Sequence, residues 1–267
     1  MPDLGQRARH GLGRPARLVV DAAGFTVGGF LGAVAALRGG KAVHPHGAAY
    51  RGRLVIDGAP HAPAASELLH TRSERPALVR FSRSLGLPRP LPDLLGMSIR
   101  VLDAYGARRH QDFLLVTSVD LPVLHHAFLP AGDVQDRPYS SSLPYRAGDE
   151  LLIVGALPDP SSPRPDGEDE LDRLARAVAT GRLRFGLAVA SLEGRFRQVG
   201  TLHVDVPLPV SVDALLFNPF NTGGGLELTG VLNRLRDYAY PLSQAAWGRS
   251  PERAAAQRRA EAAAQNA

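Results

Sequence analysis

One side chain near the C-terminus is of a type that could hold a metal, and a second is spaced to support it. In the stretch Arg236-Asp237-Tyr238-Ala239-Tyr240-Pro241 the arginine and the second tyrosine are four positions apart, so on a helix they share one face. A tyrosine binds a metal ion as the phenolate. Its ordinary pKa is about 10, so ionisation at neutral pH needs both the metal and a positive neighbour. Arg236 supplies that neighbour one turn back, and Pro241 ends or kinks the helix just beyond Tyr240. Alone, the stretch reads better as a helix end with a surface arginine and a packed tyrosine.

Two further clusters invite chemistry. His44-Pro45-His46 would place both rings on one face of a strand, as in some metal sites. With no carboxylate at matching spacing, a zinc site is not expected. In Val79-Arg80-Phe81-Ser82, strand alternation puts Arg80 and Ser82 on one face and Phe81 on the other. The plain alternative is a half-buried strand with two outward polar residues.

The elements that must position these residues are mainly strands. Residues 51–58, 77–84, 96–103 and 111–118 each alternate or run apolar between turn residues. Residues 133–146 form a polar, tyrosine-containing loop, followed by the apolar run LLIVGAL. Residues 158–169, rich in proline, serine and acids, are the clearest surface loop. A short helix over 171–180 precedes two more strands, RLRFGLAVAS and GTLHVDVPL. Short strands without a βαβ rhythm favour an antiparallel sheet or barrel over a doubly wound fold. Residues 226–247 read as helical up to Pro241.

The ends differ in character. Residues 1–17 form a mobile basic segment. Residues 18–37 are apolar enough to suggest a membrane span or export signal, but Asp21 and several glycines interrupt them. A buried or partner-facing helix is the better reading, with homodimer contact one use for it. The chain therefore divides into that basic segment, a main domain over 18–249 and a solvated tail over 250–267.

Composition excludes several classes. The 267 residues carry a net charge of +5 with no basic stripe interleaved with aromatics, so a nucleic-acid partner is not expected. With no cysteine there are no disulfides, thiolate ligands or iron–sulfur clusters.

In combination, these clusters resemble catalases. Phe217-Asn218-Pro219, Asn221, Gly225-Leu226-Glu227 and Arg236-x-x-x-Tyr240-Pro241 follow the order of that family's proximal segment. Lys41-Ala42-Val43-His44-Pro45-His46-Gly47 resembles its distal segment, and Val79-Arg80-Phe81-Ser82 its Val-Arg-Phe-Ser. Leu94-Leu95-Gly96-Met97-Ser98-Ile99-Arg100 and Asp112-Phe113-Leu114 resemble its next two strands. The resemblance spans most of residues 41–249. It implies an α+β fold, an antiparallel β-barrel of the catalase type with added helices, holding haem b and its iron.

By that resemblance Tyr240 ligates the iron, Arg236 hydrogen-bonds the phenolate and His44 works on the opposite face. Lys41, Arg80 and Arg249 would pair with haem propionates. Ser82 would orient His44, and Phe128 is a loose counterpart of the aromatic that stacks on the haem. The family's distal asparagine is missing from Val116-Thr117-Ser118-Val119, where Thr117 or Ser118 would have to donate in its place.

That loss puts fast disproportionation of hydrogen peroxide in doubt. The implied function is a haem peroxidase, with weak catalase activity included. It would act on peroxide or an organic hydroperoxide with a small-molecule electron donor, in the cytoplasm. The absence of oxidisable thiols is compatible with this. The rivals are a hydroperoxide isomerase or dehydratase of the allene oxide synthase kind, a biosynthetic tailoring oxidase, and a haem-binding protein without turnover.

Overall fold

The computed structural model describes residues 47–88, 91–141, 143–208, 215–229 and 251–265. Among them, ten strands pair throughout as antiparallel neighbours: β1 Gly47–Ile56, β2 Ser73–Arg83, β3 Leu95–Val101, β4 Gln111–Thr117, β5 Tyr139–Ser140, β6 Tyr145–Ala147, β7 Glu150–Pro158, β8 Arg184–Ser191, β9 Arg197–Pro207 and β10 Leu226–Leu228. The order β7-β5-β4-β3-β2-β1-β9-β8 closes through β7–β8 into an eight-stranded barrel, and β6 and β10 extend from β7. The expected antiparallel barrel is therefore present. β5, β6 and β10 were not foreseen, because two or three residues are too few to show a period of two.

Alternation explains the interior. Val79 and Phe81 of β2, Met97 and Ile99 of β3, and Phe113 and Leu115 of β4 point inward and are buried. Phe185 sits at the centre, its ring 5.7 Å from Phe81 and 6.1 Å from Tyr139. Each such side chain stabilises the fold by about 1.5–3 kcal/mol through burial. The surface loop over 158–169 ends in a helix cap. Asp169 accepts hydrogen bonds from the amides of Leu171 (2.9 Å) and Asp172 (3.0 Å), starting α2 over Glu170–Ala179. Leu174, Ala177 and Val178 form its buried stripe. The shorter α1, Glu67–His70, packs beside the glycine turn before β10. There Gly225 has φ +81°, and a Cβ would meet the Ala65 carbonyl.

The tail corrects the sequence reading. Residues Pro251–Gln265 form a helix, α3, docked on the outer face of β1–β3 rather than solvated. Ala260 and Ala264, one turn apart, pack with Ala49, Leu78, Leu102, Leu208 and Leu215. Gln257, Glu261 and Gln265, also one turn apart, anchor it: Gln257 Oε1 accepts from Leu216 N (3.0 Å), Glu261 from Arg100 Nη1 (2.8 Å), and Gln265 donates to Asp103 (2.7 Å). The docking face is polar and small, so no apolar stripe announces it in the sequence.

Beneath α3 lies a buried ion pair between adjacent strands. Arg100 Nε and Nη2 each donate to Asp112 at 2.7 Å, and Nη2 also donates to Leu216 O at 2.7 Å. The Asp112 carboxylate further accepts from Asn218 N (2.7 Å) and Asn221 Nδ2 (3.1 Å). Burial by itself would lower the Arg100 pKa. The hydrogen bonds and charge of Asp112, with Glu261 adding, outweigh it and hold the guanidinium above its usual value.

Two outcomes follow. Asp112→Ala leaves a buried guanidinium without its main partner and should cost about 3–5 kcal/mol in a denaturant titration. Burial also pushes the Tyr50 phenol up to about 12, and raises Tyr105, Tyr139 and Tyr145 as well. Unfolded phenols ionise at about pH 10. The stability these groups contribute is therefore intact below pH 10 and is lost as pH rises through the folded values. Stability should fall steeply above about pH 10, with the phenolate absorbance of these four tyrosines appearing only as the barrel opens. Phenols at these four positions that ionise at about pH 10 in the folded protein would contradict this.

Candidate functional site

The register of β1–β4 sorts their outward residues into three rows. The first is Arg51, Leu78, Arg100 and Asp112, and the second is Ala49, Arg80, Ser98 and Leu114. The third is Gly47, Ser82, Gly96 and Val116, continued by Ser140 of β5. Rows on one face of a strand lie about 7 Å apart. The first row is covered by residues 215–221 and α3. In the second and third, Arg80, Ser98, Leu114 and Val116 are half-buried, while Ser82 is buried.

Arg80 and Ser82 thus stand together on the outer face, as alternation predicts. A glycine flanks Ser82 on each neighbouring strand. At Gly47 a Cβ would run into the Phe81 carbonyl oxygen, so only glycine lets β1 begin this close to β2.

The remaining expected residues fall in different places. Thr117 shares the inward face of β4 with Phe113 and Leu115 and is buried, and its Oγ1 accepts from Leu95 N at 3.1 Å. Thr117 thus faces the barrel interior, on the side of β4 away from the row of Ser82. The alternation from Asp112 onward already carried that signal. Ser118 donates its hydroxyl to His125 O (2.9 Å). Phe128 is half-buried on the segment after the 3-10 turn Leu124–His126. The adjacent Leu129 N donates to Thr117 O (3.0 Å), which keeps Phe128 at the end of β4 and so at the Ser82 end of the barrel. Lys41, His44, Arg236, Tyr240 and Arg249 lie outside the described residues.

One cluster at this end had no sequence signal. Arg83, next to Ser82, donates Nη1 to Glu170 of α2 (2.8 Å) and Nη2 to the carbonyls of Leu87 (3.1 Å) and Leu91 (2.9 Å). Its Nε lies 3.3 Å from Asp93, whose carboxylate accepts from Leu85 N (2.9 Å) and Leu87 N (3.0 Å). All three charged side chains are buried. Together they lock the β2–β3 loop and the start of α2 onto the barrel end. Glu170 is 87 positions from Arg83, beyond any local pattern.

No group of three or more His, Asp or Glu placed to hold a metal ion occurs among the described residues. Two surface recesses, about 490 Å³ beside Arg53 and Glu74 and about 400 Å³ beside Asp133 and Arg173, lie away from Arg80 and Ser82, and their charges pair locally.

No family model matches the sequence, and no curated protein matches it. Solved structures do match in fold. A fungal catalase superposes with a TM-score of 0.60 at 14% identity, over 85% of this chain and 64% of that one. A bacterial catalase superposes with a TM-score of 0.52 at 14% identity, over 91% of this chain and 62% of that one. The chain spans less than two thirds of the length of either. At this identity the likeness concerns architecture, and the architecture is the catalase-type antiparallel barrel.

Proposed function

We propose that the protein is a haem-dependent, peroxide-activating oxidoreductase of the peroxidase kind, with Tyr240 as the proximal iron ligand and His44 on the opposite face. The observation that carries this reading is the pairing of Arg80 and Ser82 on one outward face of a catalase-type barrel, with Gly47 directly across from Ser82.

The described residues fit a planar, anionic tetrapyrrole. Gly47 and Gly96 keep the surface beside Ser82 low, and Leu114 and Val116 offer apolar contact. Arg80 would pair with a carboxylate of that group. Lys41 and Arg249 would add two further cations, and Phe128, at the same barrel end, a ring. Bound there, ferric haem would supply a Lewis-acidic iron for peroxide and the two electrons that cleavage of its O–O bond consumes, which the small-molecule donor would then return.

The chain's own residues would handle protons and charge. His44 is three positions before Gly47, and three residues reach at most about 11 Å. On this reading His44 would work at the Ser82 end of β2. An imidazole with an ordinary pKa of about 6.5 can take the proton of an incoming peroxide and return it to the departing oxygen. The Ser82 hydroxyl would fix which ring nitrogen faces the peroxide. At Tyr240, Arg236 would hold the phenolate ionised and so tune the metal from the other side.

A second reading is rearrangement of an organic hydroperoxide, favoured by the inward placement of Thr117. With Thr117 turned away, the described residues put no second hydroxyl from β4 beside Ser82.

Protein made in haem-replete cells should show a high-spin ferric spectrum of tyrosinate character, lost or altered in Tyr240→Phe. His44→Ala should lower peroxide-dependent oxidation of a donor about 10²–10⁴-fold. Product formed from a hydroperoxide without any donor would select rearrangement. Haem in the purified protein with no peroxide-dependent chemistry, and little change in His44→Ala, would indicate binding without turnover, and a colourless protein that cannot be reconstituted would end the haem reading.

A further inference from the structure

We infer that the buried Arg100–Asp112 pair is a positioning clasp for the stretch that carries Arg236 and Tyr240, because it grips the chain on both sides of that stretch. The upstream side is residues 215–221. Asp112 accepts from Asn218 N (2.7 Å) and Asn221 Nδ2 (3.1 Å), its own amide donates to Asn221 O (2.8 Å), and Arg100 donates to Leu216 O (2.7 Å). The downstream side is α3, where Glu261 accepts from Arg100 Nη1 (2.8 Å). Gln257 joins the two sides directly by accepting from Leu216 N (3.0 Å) and donating to Glu261 (2.7 Å). The described residues on either side of positions 230–250 therefore both meet one guanidinium on the sheet.

Several features make this more than packing. Arg100 serves Asp112, Leu216 and Glu261 at once from a planar fork, an arrangement a lysine ammonium cannot reproduce. Phe217 closes over it, its ring centre 5.4 Å from the guanidinium carbon. The clasp occupies the row next to Arg80, on the same outward face as the candidate site. A helix docked through alanines and a few polar anchors, Arg51 Nη1 to Ala263 O (2.7 Å) among them, has little apolar area to hold it otherwise. Among these anchors, Glu261 is the one that joins the helix to Arg100.

The inference rests on the haem reading for its functional meaning, and its test is arranged so that the two fail separately. In the full chain, Glu261→Gln removes the charge from the downstream grip while leaving Arg100–Asp112 intact, which avoids the unfolding risk of Asp112→Ala. Hydrogen exchange of the haem-free protein reads the clasp alone. Exchange over 251–265 should rise at least about tenfold, with β1–β4 unchanged, and Glu261→Asp should restore part of the protection. In haem-loaded protein the tyrosinate spectral signature should shift in Glu261→Gln and return toward wild type in Glu261→Asp.

Wild-type exchange in Glu261→Gln would overturn the clasp. Raised exchange with an unmoved tyrosinate signature would reduce it to a structural latch and overturn its positioning role. If wild-type protein takes up no haem, the function proposal fails, and with it the positioning of a ligand, while the exchange result still decides whether both sides are gripped.

Discussion

The ion pair between Arg100 and Asp112 is the interaction on which the outer layer of the molecule depends. Taking two charges out of water is expensive, and the attraction between them compensates only when the remaining hydrogen-bonding capacity is filled. Here it is filled: the guanidinium meets Asp112, Glu261 and a backbone carbonyl, and the carboxylate meets a backbone amide and the Asn221 side chain as well. Breaking any of these contacts exposes the cost of the others. Segments far apart in sequence are thereby committed to one arrangement, although little apolar surface lies between them.

The barrel beneath is held in the ordinary way, and its strands divide their labour by face. In β2, Val79 and Phe81 build the aromatic centre while Arg80 and Ser82 look outward. A slip of one residue would exchange these roles along the whole strand. Gly47 helps prevent it, because the close approach of β1 at the Phe81 carbonyl tolerates no other side chain. The packing that stabilises the interior therefore also sets the outward spacing of arginine and serine on which any chemistry would rely.

The loops at the Ser82 end are fastened by polar groups rather than left loose. Arg83, Asp93 and Glu170 lock the β2–β3 loop against α2. After β4, His125 Nε2 lies 2.8 Å from Gly194 O and its ring rests 4.5 Å from Phe196, tying the following loop to the β8–β9 turn. Val123 in this loop has φ +68°, an unfavourable conformation for a β-branched residue. Its amide bond to Leu192 O helps hold it there. Substrate-sized molecules approaching Ser82 would meet a braced rim.

Much of this was legible in the residues alone. Alternation over 77–84, 96–103 and 111–118 specified three barrel strands and which side of β2 would carry Arg80 and Ser82. The same alternation turned Thr117 inward. Arg100 and Asp112 belong to resembling blocks, yet nothing local shows that they pair with each other, with Asn218 or with Glu261. α3 reads as solvated because its docking face is alanine, glutamine and glutamate. Local periodicity reports which face a residue occupies, since that depends only on backbone geometry. Partners separated by 87 or 161 positions are chosen by closure of the barrel and by the requirement that each buried charge be satisfied, and those conditions exist only in the folded chain.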